Sequence, residues 1–193
     1  MFKLLRSGLL VLGLFAVQSS FAQGDLIKLL DSATSLQAKG DKENLSKVLT
    51  SAASGIEEEA KSTKSAFGGK LLNQAGLLKK LIPLAQKGLA QKGALEKIIN
   101  TVKMLLGANK ISNLLGSGSS LIGQAASLKS NLGLIQTGMS VLSGGEGQKL
   151  GSLVTTALGS VGKLEKGGIT GKAAEPVLKS QLGGITEMVK GLF

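Results

Sequence analysis

The chain has 193 residues and a formal net charge of +11, from 23 lysine and arginine residues against 12 acids, and it contains no histidine, cysteine, tryptophan or tyrosine. Arg6 is its one arginine, so residues 23–193 lack imidazole, thiol, phenol and guanidinium groups. That removes the usual general base near neutral pH, thiolate nucleophiles, imidazole and thiolate metal ligands, disulfides and the bidentate arginine clamp.

Residues 1–22 have the three parts of a secretory signal. Lys3 and Arg6 make the start positive, residues 9–17 form an unbroken apolar run, and Ser20 and Ala22 are small residues where a signal peptidase reads. The run is too short for a stable membrane anchor. Cleavage after Ala22 is expected to leave residues 23–193 as one helical domain, with 21 lysines against 12 acids. Its expected destination is the periplasm or the medium of a bacterial cell.

Apolar residues then recur at helical spacing, with no convincing strand alternation. The first helix spans about residues 25–39, places Leu26, Leu29, Leu30, Ala33 and Leu36 on one face, and stops at Gly40. Asp41 is a good N-cap for the second, whose stripe is Leu45, Val48, Leu49, Ala52, Ile56 and Ala60. Glu43 with Lys47, and Glu57 with Lys61, are expected acid-first pairs on its polar side. A third helix over residues 70–86 buries Leu71, Leu72, Ala75, Leu78, Leu81 and Ile82 until Pro83, which is expected to kink or break it. The near-duplicate LAQKG stretches at 84–88 and 89–93 read as a helix end or frayed connection.

The fourth helix turns Leu95, Ile98, Ile99, Val102, Leu105 and Leu106 inward and is expected to close at Gly107. Residues 111–145 carry one charge, Lys129, and many glycines and serines. They read as two closely packed central helices, broken near 116–120 or near 131–133, and as poor transmembrane material. A helix over about 146–166 follows. The last is expected to begin near Pro176, with Leu178, Leu182, Ile185, Val189 and Leu192 inward and Glu175 paired to Lys179. Short links make antiparallel neighbours, so the expected fold is an all-α, single-domain antiparallel bundle of about six to eight helices.

Three motifs invite a chemical reading and do not sustain it. Glu57, Glu58 and Glu59 are consecutive on a helix and point about 100° apart, which suits a solvated face better than a cation site. Ser160 and Lys163 have the Ser-x-x-Lys spacing of exported serine enzymes, but the supporting Ser-Asp-Asn and Lys-Thr-Gly elements are absent. Gly167 to Lys172 departs from phosphate-loop spacing and follows no strand. No catalytic residue, cofactor or metal ligand is assigned, and the composition points away from an enzyme.

The basic excess carries more. Lys79, Lys80, Lys87, Lys92, Lys97, Lys103 and Lys110 are opposed between residues 77 and 110 by Glu96 alone, a local charge of +6. Such a surface attracts anionic headgroups, acidic polymers or other anionic ligands, and equally serves as a solubilising face. Nucleic acid is the least favoured partner, because arginine for base edges and aromatics for stacking are missing. The functional expectation is an exported, non-enzymatic binding or structural protein that recognises an envelope partner or an apolar ligand between its helices. The alternative is a cationic amphipathic protein acting on anionic membrane surfaces.

Overall fold

Leucine, isoleucine and alanine at spacings of three and four fold the chain into seven α-helices among the residues described by the computed structural model, 23–142 and 144–193. The helices are α1 (Gln23–Lys39), α2 (Lys42–Ser62), α3 (Gly68–Gln86), α4 (Lys92–Gly116), α5 (Ala125–Gly138), α6 (Gly145–Glu165) and α7 (Gly168–Leu192), with a 3-10 turn at Met139–Val141. No strand occurs among the described residues, so the all-α bundle expected from the sequence is what the chain forms. The expected leader at residues 1–22 lies outside the described residues.

The helices close into two four-membered rings that share α4. In the first, α1 packs on α2, α2 on α3, α3 on α4, and α4 closes on α1. In the second, α4 packs on α5, α5 on α6, α6 on α7, and α7 closes on α4. Links as short as Gly40–Asp41 and Lys166–Gly167 force neighbours to run antiparallel. Serving two rings, α4 cannot keep a single apolar stripe. Met104, Leu105, Leu106, Gly107, Ala108 and Asn109 are consecutive and all buried.

That shared role explains why Gly107 does not end the fourth helix. α4 runs on for nine residues to Gly116, because α5 packs its backbone against the bare Cα of Gly107. The break within 111–145 falls at residues 117–124, and α5 passes through 131–133 without interruption. No described helix is long and apolar enough to cross a membrane.

The prolines correct two further expectations. Pro83 does not stop α3 at once; it lies inside the helix, which ends three residues later, at Gln86. There the Gly88 N–H donates to the Ala85 carbonyl at 2.9 Å and the Leu89 N–H to the Leu84 carbonyl at 2.8 Å, with Gly88 at φ +71°. This is a Schellman closure, and glycine supplies its left-handed residue without steric cost. Pro176 lies inside α7, which begins eight residues earlier at Gly168. Both Pro176 and Lys172 are exposed, so the backbone bond that proline removes falls on the solvent side.

Candidate functional site

The seven lysines singled out above lie on two helices and divide by their partners. Lys79 and Lys80 are on α3, Lys87 ends it, and Lys92, Lys97, Lys103 and Lys110 are on α4. Lys79 pairs with Glu57 at 2.7 Å, Lys92 with Glu96 at 3.8 Å, Lys110 with Glu59 at 3.4 Å, and Lys103 with Asp31. Lys80, Lys87 and Lys97 are exposed and have no acidic partner among the described residues. Asp31, Glu57 and Glu59 arrive from α1 and α2, so counting charge along one stretch overstates the basic surface. The expected pair of Glu57 with Lys61 is replaced by Glu57 with Lys79, across the α2–α3 contact.

The three glutamates are not one solvated face. Glu58 is exposed, whereas the Glu59 side chain is only 13% exposed. Glu59 Oε1 accepts from Asn109 Nδ2 at 2.9 Å, and Asn109 is completely buried. Asn109 Oδ1 in turn accepts from Thr63 Oγ1 at 2.6 Å and from the Ser65 hydroxyl. The Ser65 oxygen also accepts from the Phe67 N–H at 3.2 Å. These bonds latch the α2–α3 link onto α4, and the polar groups consume one another's hydrogen-bonding capacity, which is the signature of a structural network.

Neither remaining motif assembles a reactive centre. Ser160 is buried on α6, while Lys163 is exposed. Gly167 and Gly168, both at positive φ, form the turn into α7, and Ile169 next to them is 89% exposed. Among the described residues no group of three or more acidic side chains is placed to hold a metal ion.

What the fold does assemble is a surface on α3. Among the described residues that helix packs only on α2 and α4, leaving one side outward. Leu72, placed inward by the sequence pattern, is 43% exposed, and Leu77 and Leu84 are as open. Leu77 and Leu84 are seven apart and therefore within about 20° of the same side of the helix. Leu72, Leu77 and Lys80 border a shallow depression over Gly76, which has no side chain to fill it. Residues 68–95 contain five lysines and no acid.

The end of α3 adds a feature that periodicity could not show. The Schellman closure bonds the Leu89 N–H to the Leu84 carbonyl, and in such closures an apolar pair at these two positions frequently covers the helix end. Here both stay exposed, Leu89 at 64%. The end of the Lys42 side chain, from α2, lies over Gly88 and joins Lys87 at this corner. Lys42 and Leu89 were not candidates from sequence; the signal for Leu89 was the first LAQKG stretch, whose glycine ends the helix. Comparison with protein-family models, curated proteins and solved structures finds no match to this chain. The functional reading therefore rests on the geometry.

Proposed function

We propose that the protein is a non-enzymatic binding protein, exported to the bacterial envelope, that grips an envelope component through the outward side of α3. One observation carries this reading: four leucines, Leu72, Leu77, Leu84 and Leu89, are exposed on a lysine-bearing, acid-free stretch. Leu72, Leu77 and Leu84 are 40–43% exposed and Leu89 64%, so covering what remains of each yields roughly 0.6–2 kcal/mol, and this edge gains from a partner. Leu105, Leu106, Ile135, Val154, Leu178 and Leu182 are completely buried in the two rings. A partner on the outside is thus better supported than an apolar ligand between helices. Export rests on the signal pattern of residues 1–22.

The test uses purified residues 23–193 and washed envelopes. Wild type is expected to cosediment, and a Leu77→Glu/Leu84→Glu variant with unchanged helical circular dichroism is expected to remain in the supernatant. Equal sedimentation of the two proteins, or of neither, overturns the assignment. Export is checked on the full chain by N-terminal sequencing, which should begin at Gln23.

A further inference from the structure

We infer that the component gripped by α3 is an anionic lipid bilayer, entered at its interface by the corner where α3 ends; this rests on the reading that α3 is the binding surface. Leu84 and Leu89 are both exposed at that corner, where the Leu89 N–H bonds to the Leu84 carbonyl. They are the apolar tip. Lys87 and Lys42 flank them, and Lys80 stands one turn back from Leu84 along α3, on its exposed side.

Charge complementarity selects the partner. No acid lies between residues 68 and 95, and none pairs with Lys42, Lys80 or Lys87 among the described residues. Lysine suits headgroups: its stem lies along apolar surface while the ammonium stays in water beside phosphate. The shape agrees. A helix corner is convex, and a fluid interface yields to it without a preformed complementary pocket. A protein partner would be anchored instead by tryptophan, tyrosine or arginine, all of which residues 23–193 lack. With no described helix able to span a bilayer, contact of this kind is peripheral.

The experiment is flotation of residues 23–193 with phosphatidylglycerol-containing vesicles and with pure phosphatidylcholine vesicles, at low and high salt. It is paired with sedimentation on washed envelopes before and after lipid extraction. Expected is flotation with the anionic vesicles at low salt, lost at high salt as the Debye length shrinks. Leu84→Glu/Leu89→Glu should lower partitioning by at least about tenfold. Lys80→Gln, Lys87→Gln and Lys42→Gln should each lower it about fivefold; these exposed positions leave the helical spectrum unchanged. If the protein ignores both vesicle types yet sediments with lipid-extracted envelopes, the lipid assignment fails and the α3 reading stands. Binding to neither vesicles nor envelopes overturns both. Flotation that the Leu84/Leu89 variant retains overturns the corner as the contact.

Discussion

Gly107 of α4 lies directly against the backbone carbonyl of Asn131 in α5: a Cβ at position 107 would stand 2.5 Å from that oxygen. Gly138 repeats the relationship from the other helix, where a Cβ would meet Met104 Cβ at 2.5 Å and the Asn100 carbonyl at 2.6 Å. Two glycines, one on each helix, thus let α4 and α5 approach closely. Without that approach α4 could not serve both rings, since its buried residues must reach α5 and α7 as well as α1 and α3.

Gly107→Ala is therefore expected to destabilise the protein by about 1–3 kcal/mol, because backbone cannot yield as the end of a flexible side chain can. Gly133→Ala is the control. It lies inside α5 with nothing within 4 Å of an added Cβ, and alanine there should be neutral or stabilising by up to about 1 kcal/mol. Urea unfolding followed by circular dichroism compares the two. Similar midpoints for both variants would remove the close approach as the reason for glycine at 107.

The buried amide of Asn109 supplies a second prediction. Asn109→Ala deletes the acceptor for Thr63 and Ser65 and the donor to Glu59 while all three remain partly buried. The expected loss is about 1–3 kcal/mol. Amide hydrogen exchange should accelerate first at the α2–α3 link, residues 63–67, before the rest of the bundle. Protection at that link identical to wild type would show that the amide does not hold it.

Outside α4 the helices were legible because each buries a stripe against one ring interior, and a stripe of spacing three and four is a local pattern. Leu45, Leu49, Ala52 and Ile56 in α2, and Leu178, Leu182, Ile185 and Val189 in α7, are buried as their spacing requires. Asp41 caps α2 as read, its carboxylate accepting from the Asn44 N–H at 3.2 Å. Gly107 and Pro176 misled because their effect depends on what packs beside them: a glycine against a neighbouring backbone stays helical, and a proline on a solvent-facing turn is tolerated. The surface was the least legible part. Which lysines keep their charge unopposed depends on Asp31, Glu57 and Glu59, distant in sequence, and the exposure of Leu72 and Leu89 depends on α3 lying at an edge.

Gly88 ties the α3 corner to a stability measurement. At φ +71°, Gly88→Ala introduces left-handed strain, and a methyl group there also displaces the end of Lys42. A loss of about 1–2 kcal/mol is expected from the backbone alone. Lys42→Gln/Gly88→Ala should not recover it, because the strain is in the helix end and not in the charge. Full recovery in the double variant would place the cost in the lysine contact instead.

Glu175 provides the pH dependence. It lies on α7, and its carboxylate accepts the Leu121 N–H at 2.9 Å, the Ser120 hydroxyl at 3.0 Å and the Lys179 ammonium at 3.0 Å, fastening the α4–α5 link to α7. The Leu121 N–H, followed by Lys179, holds its pKa below the ordinary glutamate value. A depressed folded-state pKa means stabilisation that is present above the unfolded value, about 4.3, and is lost as pH falls through the lower folded value. Glu175→Gln removes that contribution, so its melting temperature should lie below wild type at pH 7, with the two curves converging below about pH 4. Asp41, whose pKa is lowered chiefly by the Asn44 side chain, acts in the same direction but is present in both proteins, so it cancels from the difference. Parallel melting curves from pH 7 to pH 3 would mean that the charge on Glu175 does not hold the link, and that the hydrogen bonds glutamine can still accept suffice.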